Sequence, residues 1–320
     1  MKSFRQTRRF AACHYVVAGA LLLIGTLQVA GATSAVEPAK TFATPEAAVQ
    51  SLIALVKAPD PEGLRTLFGP AVEELENPDR VQATNEFSAF AAALDQKFEI
   101  VRESNSRCVL EVGADSWPFP IPIAQRDGRW FFDTAGGKEE LLNRRIGRNE
   151  LAVLEVMRAY VDAQRDYASR DRDGDEVLEY AQKLSSTPGT QDGLHWSLEA
   201  WGEVSPLGPL VAQAQGEGYH LDDAQNQEPP QAFHGYYFKI LTRQGSHAPG
   251  GKYNYIINGN MIGGFALVAW PAEYGDSGVM TFIVNQQGSV WQKDLGSKTG
   301  KLARKMTEYD PDKSWQRSRD

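Results

Sequence analysis

The chain is poor in cysteine, histidine and basic charge, and each shortage removes a class of protein. Two cysteines in 320 residues, Cys13 and Cys108, cannot build a disulfide framework. Five histidines are present, and those beyond the leader, His195, His220, His234 and His247, have no zinc-ligand spacing. Acids outnumber bases, 41 against 33, for a net charge of -8. Without the first 36 residues, which hold Lys2, Arg5, Arg8 and Arg9 and no acid, the balance is 29 against 41, or -12. Nucleic acids and anionic membranes need clustered Lys/Arg, so neither is an expected partner. Beyond the amino terminus the best apolar stretch is 265–270, far short of the ~20 residues of a spanning helix. What remains is globular: 42% hydrophobic and 23% charged, with length enough for two compact units.

Four cations in residues 1–10 precede a mostly apolar run over 16–30, and Ala30-Gly31-Ala32 and Thr33-Ser34-Ala35 offer small residues for cleavage. This layout predicts a secretory signal over 1–35. Gly19, Gly25, Thr26 and Gln28 break the apolar run, which argues against an uncleaved anchor. In Thr7-Arg8-Arg9-Phe10 the phenylalanine follows the arginine pair directly, unlike a twin-arginine signal. Cys13 lies ahead of the apolar run and so is not a lipid-bearing cysteine. The expected location is the periplasm or the exterior, with no membrane span after cleavage. Cys108 then stands alone, in a strand where it reads as a small buried hydrophobe.

The fold class expected is α+β. Over 40–145, Thr44-Pro45-Glu46 and Asp60-Pro61-Glu62 open two helices and a third is expected over 85–96. Strands follow over 97–103 and 107–112, an edge or bulged strand over 118–123, and a hairpin at Asp127-Gly128. Residues 146–217 read as a helical linker, with a long helix over 148–169, a loop over 185–201 and a short helix ending near Gly216. The segment 218–310 reads as an exposed polar linker to 231 and then an antiparallel β meander, with tight turns at Asn258-Gly259 and Gln287-Gly288. Residues 311–320 read as a tail.

The chemically informative segment is Asp171-Arg172-Asp173-Gly174-Asp175-Glu176-Val177-Leu178-Glu179. Carboxylates at positions 1, 3 and 5 after a helix converge on one centre, as a calcium loop begins. The candidate ligands are Asp171, Asp173, Asp175 and Glu179, with the Val177 carbonyl; Leu178 is expected to pack inward. Two positions depart from an EF-hand: Glu176 stands where glycine allows the sharp turn, and Gln182 where a bidentate glutamate belongs. The other reading is a solvated acidic connection between helices. If the loop takes an ion, calcium is the expected structural cofactor, at low affinity.

Thr44-Pro45-Glu46-Ala47-Ala48, the second helix over 60–70 and Gly128-Arg129-Trp130 resemble nuclear-transport-factor-2-like proteins, which implies a cone-shaped fold with a pocket. Gly235-Tyr236-Tyr237-Phe238, Ala269-Trp270-Pro271 and Gly278-Val279-Met280-Thr281-Phe282 resemble the heads of type IV pilins. Over nearly the whole chain beyond the leader, Trp117-Pro118-Phe119-Pro120-Ile121-Pro122, 143–150, 171–180 and Trp270-Pro271-Ala272-Glu273-Tyr274-Gly275 resemble an exported bacterial family of unknown function, DUF2950. That resemblance implies a location and no catalytic residues.

Several strings imitate enzymes. Gly275-Asp276-Ser277-Gly278 matches part of a serine-protease loop, but Val279 replaces the next glycine and no matching histidine string precedes it. Lys298-Thr299-Gly300 has no Ser-x-x-Lys to go with it. The arginines of 143–150 read either as an anion clamp or as a connector paired to acids. Trp270, Tyr274 and Tyr255 read either as an aromatic surface for glycan or protein, or as core. The expected role is non-enzymatic binding or scaffolding in the envelope, with an unknown protein or glycan as partner. The alternatives are a small-ligand binder or enzyme using a concave pocket of the first subdomain, and an envelope or pilus-like assembly partner.

Overall fold

A computed structural model describes residues 39–219 and 232–318, so the signal over 1–35 and most of the polar stretch 218–231 lie outside the described residues. The chain divides into two compact units between Arg144 and Arg145. The fold is α+β.

In the first unit, α1 (Pro45–Lys57) starts where Thr44 Oγ1 accepts a bond from Ala47 N at 3.2 Å, and it buries Ala48, Val49, Leu52 and Val56. Asp60 caps α2 (Pro61–Phe68) by accepting from Glu62 N. The helix ends at Gly69, φ +73°, where a Cβ would stand 2.9 Å from Ala39 N. After a 3₁₀ turn, Pro70–Leu75, comes α3 (Arg80–Gln96). It begins at Arg80 rather than at Asn85, because Asp79 accepts from Gln82 N at 3.1 Å and nucleates an earlier first turn.

Five strands follow: β1 (Phe98–Ser104), β2 (Arg107–Val112), β3 (Trp117–Pro118), β4 (Ile123–Arg126) and β5 (Arg129–Phe132). They form an antiparallel sheet in the order β1-β2-β4-β5, with β3 on β2. Pro118, Pro120 and Pro122 confine pairing in their stretch to β3, as missing donors require. Asp127 and Gly128, at φ +52° and +75°, make the hairpin turn.

The sheet packs on the helices through Phe68, Phe90, Leu110, Phe119, Ile121, Ile123 and Phe132, all buried. The Phe68 and Phe132 rings lie 5.1 Å apart, and those of Phe90 and Phe119 5.2 Å. These side chains belong to one contiguous buried cluster. A groove of about 610 Å³ lies between α1, α3 and the head of β1, lined by Ile53, Val56, Leu94 and Phe98.

The long helix α4 (Thr134–Tyr167) starts at Thr134 instead of 148. Gly136, Gly137 and Gly147 weaken the sequence signal there, yet Gly137 is required: a Cβ would lie 2.6 Å from Pro120 O. The first turn is held by Asp133, which accepts from Gly136 N, and by Thr134 Oγ1, which donates to Phe68 O at 2.7 Å.

In the second unit the segment read as a linker shares one core with the sheet. Val153, Met157, Tyr160, Val161, Leu194, Trp196 and Val211 cluster with Tyr236, Phe265, Val268 and Phe282. Short helices α5 (Leu198–Trp201) and α6 (Gly208–Glu217) precede β6 (Tyr236–Leu241), β7 (Arg243–Gln244), β8 (Tyr253–Asn254), β9 (Ile256–Ile257), β10 (Asn260–Met261), β11 (Ala266–Pro271), β12 (Met280–Asn285) and β13 (Trp291–Asp294). Helix α7 (Thr299–Lys305), β14 (Glu308–Tyr309) and β15 (Gln316–Arg317) complete the chain. The main sheet is an antiparallel meander, β15-β13-β12-β11-β6.

The expected strand over 253–257 is cut in two by Tyr255, which turns into the core, so β8 and β9 join different sheets. The turns at Asn258-Gly259 and before Gly288 are present. The stretch 311–320, read as a tail, instead buries Trp315 and adds β15 to the sheet edge, with Lys293 over the Trp315 ring. Helix α4 is fastened to the β11–β12 turn by polar bonds. Glu150 Oε1 accepts from Val279 N and Met280 N at 3.0 and 2.9 Å, and Asn149 Nδ2 donates to Ser277 O at 2.8 Å.

Phe68 joins two helices to the sheet, so Phe68→Ala should cost about 3–5 kcal/mol, the range for an aromatic cavity. Urea unfolding followed by the fluorescence of the buried Trp130 reads this directly.

Candidate metal centre

Where α4 ends, the chain turns through 171–177 on its own side chains. Asp171 Oδ1 accepts from Gly174 N at 2.7 Å and Oδ2 from Glu176 N at 2.9 Å. Asp175 Oδ1 accepts from Val177 N at 2.8 Å. The outcome is that one oxygen each from Asp171, Asp173 and Asp175 lies within 4.8 Å of the others, all three side chains being exposed. Glu176 takes φ +66°, the left-handed conformation that glycine supplies at this point of a calcium loop. The turn therefore forms without the glycine.

Glu179 does not join the three. Its Oε2 accepts from Met261 N at 2.9 Å and ties the loop to the β9–β10 hairpin. Tyr180 N donates to Met261 O, Asn260 Nδ2 to Asp175 Oδ2 at 2.6 Å, and Gln182 Nε2 to Gly259 O at 2.7 Å. Gln182, in the place of the bidentate glutamate, thus braces the hairpin. Leu178 is 58% exposed, against the expectation that it packs inward. The hairpin bonds on either side of it hold the backbone in a course that turns this side chain out.

The flanks of the loop are fixed by buried groups that the sequence did not single out. Gln164 is fully buried; its Nε2 donates to Ala181 O at 2.8 Å and its Oε1 accepts from Ala181 N at 2.8 Å. The Arg172 side chain is 7% exposed and paired with Glu203, and its guanidinium lies 5.0 Å from the Trp196 ring and 5.7 Å from Tyr167. Neighbouring Tyr167 donates to Gln191 O at 2.8 Å. Asp192 accepts from Thr187 N, Thr187 Oγ1 and Thr190 Oγ1 and pairs with Lys183, closing the turn read as loop over 185–201. Glutamine three residues before a helix end carries no motif signal, which is why its role is visible only in three dimensions.

The carboxyls differ in their titration. Backbone N–H groups of Gly174 and Glu176 hold Asp171 below the usual carboxylate range. Desolvation, followed by the charge of Asp175, pushes Asp173 up; desolvation pushes Glu179 up as well. A cation at the centre would offset the like charge that Asp175 and Asp171 place on Asp173.

The strings that imitate enzymes are structural. Ser277 is buried, its Oγ donating to Glu273 O and accepting from Glu273 N. Thr299 is buried at the start of α7 and donates to Gly296 O. His195, His234 and His247 bond locally to Ser205, Glu217 and Asp310, and His220 lies outside the described residues. Arg144 pairs with Glu140 and Arg145 with Asp276, the connector reading. Tyr255 and Trp270 are core, whereas Tyr274 is 38% exposed and bonded to Asp294.

Fold and loop together define an α+β protein of two units whose second unit presents an Asp-x-Asp-x-Asp turn. The chain belongs to the family described as "Protein of unknown function (DUF2950)", which it matches over residues 39–318. It finds no match among curated proteins or among solved structures. The likenesses to nuclear-transport-factor-2-like proteins and pilin heads therefore have no solved counterpart behind them. Among the described residues no helix is long and apolar enough to cross a membrane.

Gln164→Leu should lower stability by about 2–4 kcal/mol, since it strands both Ala181 backbone groups in a buried site. Thermal unfolding measures the loss, and hydrogen exchange should localise it to 171–182. A second expectation concerns Asp192. Burial pushes this carboxyl up, but the bonds from Lys183, Thr187 and Thr190 outweigh it and hold the group well below the usual range. A depressed acid stabilises the fold above its unfolded value of about 3.9 and loses that contribution as pH falls through the folded value. The difference in melting temperature between wild type and Asp192→Asn should be full at pH 7 and shrink below about pH 4.

Proposed function

We propose that this protein works outside the cytoplasm as a non-enzymatic binding or scaffolding component of the periplasm or envelope, with calcium as a structural ion in the acidic loop. The observation that carries the calcium reading is the convergence of Asp171, Asp173 and Asp175 within 4.8 Å around a turn whose sixth residue already has the left-handed backbone. Hard oxygens from three carboxylates, the Val177 carbonyl and water would make up the six to eight ligands calcium takes. Glu179, engaged with Met261 N, contributes through water at most. Without a bidentate glutamate the affinity belongs in the ~10⁻⁴–10⁻³ M range, which extracellular calcium can fill. The reading of the leader as a secretory signal supports that setting.

Support for a non-enzymatic role comes from the local bonding of Ser277, Thr299 and the described histidines, and from the contiguous buried cluster of the first unit. Bound calcium would fasten the end of α4 to the hairpin and so stiffen the second unit. The partner is a protein or glycan of the envelope.

The test is thermal unfolding of protein purified from cells expressing the full chain, in EDTA and in millimolar calcium, beside Asp173→Ala/Asp175→Ala. Calcium at ~10 times its dissociation constant adds about 1.4 kcal/mol, a rise of several degrees. The double variant should not respond. Equal melting temperatures with and without calcium in the wild type would reduce the loop to an acidic connection.

A further inference from the structure

β1 ends the sheet of the first unit: it pairs with β2 and, among the described residues, with no other strand. Its free side can be read from the ladder. Gly113 N donates to Lys97 O at 2.9 Å, and Phe119 N donates to Leu110 O at 2.7 Å. The first bond makes residues 97 and 113 a hydrogen-bonded pair; the second turns Leu110 away from β1. Hydrogen-bonded and non-bonded pairs alternate along an antiparallel ladder. Phe98 opposite Val112, Ile100 opposite Leu110 and Arg102 opposite Cys108 are therefore the non-bonded kind. Their N–H and C=O groups point out of the sheet.

Such an edge is a template for another strand, and proteins ordinarily guard it with proline, charged side chains or a bulge; β1 has no proline, and its charges, Glu99, Arg102 and Glu103, are of mixed sign. Here the one irregularity falls between Arg102 and Ser104, past the outward-pointing residues. Phe98 is 40% exposed at the head of the strand and Ile100 and Val101 are half-buried.

We propose that this edge is a homodimer seam, on which a second copy of the chain lays its own β1 antiparallel, with Ile100 opposite Ile100 of the partner subunit. A two-fold axis through that point keeps both core faces on one side of a continuous sheet. The outward-pointing residues then meet one another: Ile100 meets its counterpart, and Phe98 lies against Arg102 of the partner subunit, a guanidinium on an aromatic ring. Lys97 comes opposite Glu103 of the partner subunit.

Centring on Phe98 overlaps only the head of the strand, and two other registers that pair outward groups fail on charge. Centring on Val101 sets Glu99 against Glu103, and centring on Glu99 sets that carboxylate against itself, both destabilising. The stretch 97–104 is also neutral, with Lys97 and Arg102 against Glu99 and Glu103, in a chain of net charge -8. It is a place where two copies of an acidic protein can approach without strong repulsion.

Sedimentation equilibrium over a wide range of protein concentration tests the seam, on protein purified from cells expressing the full chain. Ile100→Pro removes an N–H that the β1–β2 ladder does not use, so circular dichroism should stay near wild type while dimerisation weakens at least about tenfold. Lys97→Glu should weaken it too, by setting two glutamates against each other, and Lys97→Glu/Glu103→Lys should restore it. A wild-type chain that stays monomeric at every concentration would overturn the proposal. So would a dimer that neither Ile100→Pro nor Lys97→Glu weakens, or a Lys97→Glu loss that the double exchange leaves unrepaired.

Discussion

The second unit depends on the amide of Gln164. Fully buried near the end of α4, it exchanges two hydrogen bonds with the backbone of Ala181 and a third with Tyr160 Oη, whose hydroxyl also lies in the buried interior. A buried amide satisfied at both ends specifies one arrangement, because any shift leaves polar groups unpaired in a low-dielectric site. The chain must leave the helix, make the acidic turn and return to Ala181 within that constraint. Arg172, held between Tyr167, Trp196 and Glu203, fixes the other side of the same excursion. The carboxylates of 171–175 converge because both flanks are fastened in the core.

That division explains what could be read from the sequence and what could not. Local signals were legible: the caps at Thr44 and Asp60, the turn at Asp127-Gly128, the 1, 3, 5 carboxylates and the meander all depend on residues close in the chain. What depended on distant partners was not. The first turns of α4 contain glycines that look like breakers, yet Gly137 is there because Pro120 O passes too close for a side chain. Trp315 and β15 look like a polar tail until the sheet edge is present to receive them. Residues 146–217 read as a linker, yet Val153, Met157, Tyr160, Leu194, Trp196 and Val211 enter the core shared with the sheet, while Leu151, Leu178 and Val204 stay exposed. Gln164 had no signal at all, since its partner's backbone carries no sequence signature.

The departures from the EF-hand pattern show the same logic at the scale of one loop. Glu176 occupies a left-handed conformation that costs a non-glycine residue of order 1 kcal/mol, and bonds to Asp171 and the hairpin contacts impose it anyway. Gln182, read as standing in the place of a missing ligand, and Glu179, read as a candidate ligand, bond to Gly259 O and Met261 N. Groups that a helix-loop-helix calcium site spends on the ion are used here to dock the turn on a hairpin. An ion at this site would find fewer protein ligands and a loop already shaped, so its affinity would be limited by ligand number more than by the entropy of ordering the chain.

The first unit reaches its stability differently. Its interior is an aromatic and aliphatic cluster built on Phe68, Phe90, Phe119 and Phe132, with the acids Glu86 and Asp79 buried on α3 and at its cap. Closure of the core at the centre moves the unsatisfied chemistry outward, to the row of backbone groups along β1. Edge strands expose donors and acceptors that water must otherwise satisfy, and a seven-residue strand with Phe98 at its head is a long one to leave open. The physical requirement that backbone groups be paired, which Gln164 meets for Ala181 inside the second unit, is met for Phe98, Ile100 and Arg102 by solvent or by another strand.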